Sequence, residues 1–132
     1  IDVEVLTDEQ AEKIKELMPF KVLCEQRTIQ SDGKEHYSQI AFLDEQRNII
    51  FDIYFFYHKN KFVLDNISQV GRLWYPYCYF IDLETITFYD KIYPCPPPEW
   101  YCEFRYGVDW QTPRNKKDSW ENDAQNLEKI ND

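Results

Sequence analysis

Hydrophobic positions near the start of the chain repeat at the spacing of a helix. The apolar stripe consists of Ala11, Ile14, Leu17 and Met18. Thr7 stands where an N-cap is needed, and Asp8 in the first turn suits the positive end of the helix dipole. Pro19 ends the pattern, because the residue before a proline is pushed out of the helical region of backbone angles. The pattern predicts a short amphipathic helix that covers a core.

Beyond residue 20 the pattern changes to short runs of β-branched and aromatic residues, and polar groups separate the runs. Strands are predicted at 21–29, 36–43, 49–57, from 62–64 onward, and at 74–82, 85–92 and 99–108. The polar groups are short, which is typical of turns between antiparallel neighbours. The runs predict an α+β fold, with one N-terminal helix packed on a five-to-seven-stranded antiparallel meander sheet.

Prolines and a change in composition mark the end of the predicted sheet. The segment 94–98 holds four prolines, which cannot donate to a sheet ladder, so an extended crossing over one edge or face is expected. From Gln111 onward the chain is polar, with only sparse hydrophobic residues: Trp120, Leu127 and Ile130. We therefore expect a single α+β domain over residues 1–110 and a polar tail over 111–132 that is weakly ordered or helical.

The charge balance restricts the kinds of partner that the chain suits. Its 132 residues include 24 acidic and 15 basic ones, which gives a net charge of −9. A phosphate backbone is bound by clustered Lys and Arg, and the sequence has no such cluster, so it disfavours nucleic acid. No apolar run approaches the roughly 20 residues of a membrane-spanning helix, so no membrane span is expected. The acidity suits either plain solubility or attraction of a basic protein partner.

Four cysteines leave the redox state open; they are Cys24, Cys78, Cys95 and Cys102. They are too few for a disulfide-dense scaffold, so reduced thiols and a cytoplasmic location are favoured. Secretion is the alternative, with a Cys95–Cys102 disulfide across the proline segment. The triplet that begins at Asn66 matches the glycosylation pattern, which also arises by chance. A zinc site of three thiols and His58 lacks the paired ligand spacing of structural sites. Neither a metal nor another cofactor is predicted.

No motif in the sequence points to catalysis. The two histidines, His36 and His58, lie in no recognisable motif, and there is neither a nucleophile elbow nor a Gly-rich phosphate loop. Carboxylates near strand ends could pair across a cleft for acid–base chemistry, but such residues more often solvate turns. The sequence therefore favours a protein that is not an enzyme.

Thirteen aromatic residues are concentrated between Trp74 and Trp110. In the first part of this region, a row of tyrosines, Tyr75, Tyr77 and Tyr79, alternates along one predicted strand and would share a face. In the second part, acids interleave with aromatic residues, a mixture that suits the centre of a protein interface. The predicted partner-binding residues are Tyr77, Glu99, Trp100, Tyr101, Glu103, Asp109 and Trp110.

We therefore expect a small acidic protein-binding module, of the inhibitor, immunity-protein or antagonist type, that engages a basic protein partner. Two alternatives stay open. One is a small-ligand or carbohydrate-binding domain lined by the same aromatic residues, with or without hydrolysis by paired carboxylates. The other is a structural subunit whose aromatic face is buried in a homo-oligomer.

Overall fold

The computed structural model describes residues 8–114 and 123–129. Within these ranges the elements are α1 (Asp8–Leu17), β1 (Lys21–Ile29), β2 (Glu35–Asp44), β3 (Ile49–Tyr54), β4 (Tyr57–His58), β5 (Val63–Ile67), β6 (Gly71–Pro76), a 3-10 helix (Tyr77–Phe80), β7 (Glu84–Phe88), β8 (Lys91–Cys95), α2 (Pro98–Tyr106) and β9 (Leu127–Lys129). The α+β class is confirmed. Thr7, Trp120 and Ile130 lie outside the described residues.

The strands form three antiparallel sheets rather than the single meander that the sequence predicts. The first sheet has the order β1-β2-β3, the second β4-β5-β6-β9, and the third is the β7–β8 hairpin. The predicted strand 49–57 divides between two sheets, because the chain leaves β3 at Tyr54 and passes through buried Phe55 to β4. Neither helix in the described ranges is long and apolar enough to cross a membrane.

The helix α1 packs on the first sheet over an aromatic core. The buried members of this core are Ala11, Tyr37, Ile40, Phe42, Phe55 and Tyr57. Ile14 and Met18 pack against them from α1, as the apolar stripe predicts. Leu17 does not, since it is 81% exposed. Leu17 and Met18 are about 100° apart around the helix axis, and only the Met18 side of the stripe faces the core.

A histidine between two carboxylates joins the start of α1 to β2. His36 Nε2 lies 2.7 Å from Asp32 Oδ2, and its Nδ1 lies 3.1 Å from Asp8 Oδ2. Asp8 also accepts the backbone N–H of Tyr37 at 3.2 Å. The hydrogen bond with Asp32 raises the pKa of His36; burial opposes this, and the bond with Asp8 adds to it. A protonated His36, which donates from both nitrogens, therefore stabilises this corner.

Two buried amide side chains join the first and second sheets. Asn66 is 1% exposed, and its Nδ2 donates to the carbonyls of Ser38 and Phe55, both at 2.7 Å. Gln30 Nε2 donates to the Ile67 carbonyl at 3.0 Å, and its Oε1 accepts the Ile67 N–H at 2.9 Å. Buried backbone groups need hydrogen-bond partners. At the joint between the first and second sheets these two amides supply such partners, as neighbouring strands do within one sheet. The asparagine of the glycosylation triplet is therefore an internal residue.

An ion-pair chain extends this joint toward β9. Asp65 is fully buried and accepts from Ser31 Oγ at 2.6 Å and from Arg72 Nε at 2.8 Å. Arg72 Nη1 lies 2.9 Å from Glu128 Oε2. At Gly71 the φ of +149° and the close Glu128 carbonyl leave no room for a Cβ. The tail prediction was wrong for residues 127–129, which form a strand because the edge of β6 gives them backbone partners.

We predict that Asn66→Asp lowers the free energy of unfolding by about 3 kcal/mol, because a carboxylate would face two carbonyl oxygens in a buried site. Asn60→Asp is the matched control. The exposed Asn60 accepts the N–H groups of Phe62 and Val63 through Oδ1 at 2.9 and 3.1 Å, and a carboxylate accepts them equally well. Its effect should stay below about 0.5 kcal/mol in urea denaturation. Equal losses in the two variants would contradict the role of Asn66.

We predict that stability decreases as the pH rises through the raised pKa of folded His36. Because this pKa lies above the unfolded value of about 6.5, the contribution is complete below that pH and is lost above the folded pKa. The contribution of Asp32 to the stability of the protein is lost at acidic pH instead. The hydrogen bond from His36 lowers the pKa of Asp32, so its contribution is present above about 3.9 and is lost as the pH falls through the folded pKa.

Denaturant midpoints measured between about pH 5 and pH 9 test this, with His36→Gln as the control, because a neutral amide does not titrate. The variant should flatten the decrease that the wild type shows above the pKa of His36. An unchanged pH profile in His36→Gln would exclude His36 as its cause.

Candidate functional site

The segment 99–108, which the sequence predicts as a strand, is mostly the helix α2. Pro97 occupies the N-cap position and Pro98 the first helical position, where its fixed φ suits a helix and its missing N–H costs no hydrogen bond. Gly107, at φ +93°, ends the helix with its N–H donating to the Glu103 carbonyl at 2.8 Å. The strand prediction was wrong, because these prolines begin a helix instead of forming an extended crossing.

The inner face of α2 packs on β6 through aromatic rings. Tyr101 stacks on Tyr75, with centroids 4.9 Å apart and planes at 6°. Phe104 meets Trp74 edge-on at 4.9 Å. Tyr75 is 1% exposed, and burial is the main cause that raises the pKa of both stacked tyrosines, so their hydroxyls stay protonated. Tyr101 thus holds α2 on the second sheet.

The α2 outer face carries two acids and two aromatic residues in solvent; they are Glu99, Trp100, Glu103 and Tyr106. Residues three and four apart share one side of a helix, so these side chains form one surface. Trp100 is 55% exposed, and its ring contacts Tyr79 of the 3-10 helix at 5.9 Å. The indole is therefore supported on one side and open to a partner on the other.

The remaining predicted residues lie elsewhere. Asp109 is exposed and Trp110 half-buried in the turn after α2, where the Trp110 N–H donates to the Gly107 carbonyl at 3.2 Å. Tyr77 lies in the 3-10 helix, with its ring 4.8 Å from that of His58. The predicted tyrosine row does not form, because β6 ends at Pro76, before Tyr77 and Tyr79. Tyr106 was not predicted; its helical spacing from Glu99 and Glu103 would have indicated it.

The thiols form no bridge in this structure. All four cysteines are free: Cys24 and Cys78 are exposed, whereas Cys95 and Cys102 are half-buried. Burial, with the nearby Cys95, raises the pKa of the Cys102 thiol, which keeps it protonated. Over residues 8–114 and 123–129 no group of three or more His, Cys, Asp or Glu residues is placed to hold a metal ion.

Two concave sites bear on the small-ligand alternative. A cavity of about 140 Å³ is lined by amide and hydroxyl side chains such as Gln39 and Ser68, together with Arg105 of α2. Its lining includes no carboxylate, so it lacks the acid pair that hydrolysis needs. A groove of about 420 Å³ is lined by two acids, Asp44 and Glu45, but Arg47 Nη1 already lies 2.9 Å from the Asp44 carboxylate. The α2 outer face is the better candidate.

Similarity to known proteins assigns no function to this surface. No protein-family model, no curated protein and no solved structure matches the chain.

Proposed function

We propose that the chain is a protein-binding module that engages a basic protein partner through the α2 outer face. The exposed Trp100 carries this proposal. Tryptophan is among the residues most enriched at the energetic centres of interfaces, and its ring here projects from a helix that is packed on its other side. A side chain on a fixed helix loses little conformational freedom on binding, so more of its burial energy is available for affinity.

The charges beside Trp100 support the choice of a basic partner. Glu99 and Glu103 are exposed on the same helix face, and the chain as a whole carries a net charge of −9. Carboxylates at the rim of an interface mainly accelerate encounter with a positively charged surface and disfavour acidic proteins. This combination fits the inhibitor, immunity-protein or antagonist type.

A reducing compartment is part of the same proposal. Cys24 and Cys78 are exposed free thiols, and exposed thiols persist where the cell keeps them reduced. This supports a cytoplasmic site of action.

We predict that Trp100→Ala lowers affinity for the natural partner at least about thirty-fold, a loss of about 2 kcal/mol. Its effect on stability should remain below about 1 kcal/mol, because the ring is half in solvent. Tyr101→Ala should behave in the opposite way. Removal of the stacked ring is expected to cost about 3 kcal/mol of unfolding free energy.

The measurement begins with affinity capture from the native cell, using the wild type, Trp100→Ala and Phe62→Ala as baits. Phe62 is 71% exposed in the turn between β4 and β5 and is not part of the α2 outer face, so Phe62→Ala controls for the loss of any exposed ring. Proteins retained by the wild type and Phe62→Ala but lost with Trp100→Ala are then measured by titration calorimetry. Equal capture by all three baits would refute the proposed surface.

We predict that Glu99→Gln/Glu103→Gln slows association with that partner about ten-fold at low salt and weakens the salt dependence of the rate. Glu16→Gln/Glu45→Gln is the matched control, since both residues are exposed and the pair changes the net charge equally. Stopped-flow rates at several ionic strengths provide the comparison. If the two double variants behave alike, net charge and not the α2 outer face governs encounter.

A further inference from the structure

The β7–β8 hairpin extends away from the packed parts of the molecule. All residues from 81 to 94 are exposed, and they include Ile86, Phe88, Ile92 and Tyr93. A two-stranded hairpin in water is marginally stable by itself, whereas three or more strands with a hydrophobic face are stable. This hairpin therefore has the composition of a sheet and too few strands for one.

The register shows which backbone groups of the hairpin point outward. Tyr89 and Asp90 have φ values of 48° and 63°, so they form a two-residue type I′ turn flanked by the pair Phe88 and Lys91. In that geometry the flanking pair exchanges both hydrogen bonds, and bonded pairs alternate with non-bonded pairs along the strands. The N–H and C=O groups of the non-bonded pairs point away from the hairpin. These residues are Thr85 and Thr87 in β7, and Ile92 and Pro94 in β8.

The two edges of the hairpin therefore differ in their capacity to pair. Pro94 has no N–H, so the outer edge of β8 lacks a donor where an added strand would require one. The outer edge of β7 presents both donors and both acceptors, at Thr85 and Thr87. Another strand can pair fully with β7 and only incompletely with β8.

We propose that β7 pairs antiparallel with β7 of a second copy of this chain, around a two-fold axis at Ile86. In this register Thr85 of each copy exchanges hydrogen bonds with Thr87 of the other, and all five residues of β7 are matched. Within β7, Glu84 then faces Phe88, so no carboxylate of the strand opposes another, although each copy carries a net charge of −9. A second copy is chosen as the occupant because this register also brings the exposed Ile86 side chains of the two copies together on the axis.

The assembly closes at two chains. The four-stranded sheet has the order β8-β7-β7-β8, with the donor-deficient edge of β8 on both sides. Proteins commonly protect an edge strand in this way against further addition. On one face, Ile86, Phe88 and Tyr93 of both copies form a continuous apolar strip, because directly paired residues share a face.

Proline substitutions in the same register pair test the assignment of the edge. Thr87→Pro removes an outward N–H from β7, and Ile92→Pro removes the corresponding N–H from β8, without loss of a bond inside the hairpin. Sedimentation equilibrium from about 1 to 100 μM at about 150 mM salt should give twice the 16.1 kDa chain mass for the wild type and for Ile92→Pro. Thr87→Pro should raise the dissociation constant at least about ten-fold. A monomeric wild type, or equal effects of the two substitutions, overturns the proposal.

A cross-linking measurement does not depend on proline being tolerated. The two Ile86 residues form a non-bonded pair on the axis, with Cα atoms about 4.5 Å apart, which is within the range of a disulfide. Ile86→Cys should therefore form an intermolecular disulfide under mild oxidation, whereas Thr87→Cys, which faces Thr85 of the other copy, should not. Both variants carry Cys24→Ser and Cys78→Ser, and peptide mass spectrometry identifies the linked residues. Equal cross-linking of the two variants overturns the register.

Discussion

Buried hydrogen bonds fix the relation between the two larger sheets, and the side-chain amide of Asn66 makes two of them. It donates to carbonyls of β2 and of the segment after β3 while its own backbone belongs to β5. Because β5 pairs with β6, and β6 carries the tyrosine on which α2 stacks, the direction in which α2 projects from the first sheet depends on these hydrogen bonds. A hydrogen-bonded joint also demands one geometry, whereas two apolar faces could slide over one another.

The parts of the fold that the sequence predicts well are those whose hydrophobic pattern reflects local contacts. Ala11, Ile14 and Met18 show the helix α1, and β1 begins and ends where its run of residues does. The wrong predictions fall where contacts between residues distant in sequence determine the structure. Aromatic residues favour strands, yet Pro98–Tyr106 is a helix, because Pro98 suits a helix start and the helix stacks a ring on Tyr75. The turn at Tyr89 has no glycine to indicate it, and β9 exists only beside β6.

Burial divides the aromatic residues between Trp74 and Trp110 into two groups. In β6 and on the inner face of α2, rings such as Tyr75 and Phe104 meet each other and leave water. On the α2 outer face and in the β7–β8 hairpin, comparable rings remain in solvent. The connection between β8 and α2 is only two residues long, so the hairpin and the helix begin from one short proline segment. A two-fold assembly through β7 would present two α2 outer faces, which increases the apparent affinity for a repetitive partner without any new contact.

The buried position of Asn66 has a consequence for the synthesis of the chain. Asn66-Ile67-Ser68 has the pattern that oligosaccharyl transfer recognises in a secretory compartment, where an asparagine is modified while the chain is still extended. A glycan on that nitrogen would remove donors that Ser38 and Phe55 require and would place a bulky hydrophilic group between two sheets. A chain modified at Asn66 could not bring the first and second sheets together. The fold is thus compatible only with a biosynthetic route that leaves this asparagine unmodified until folding has enclosed it.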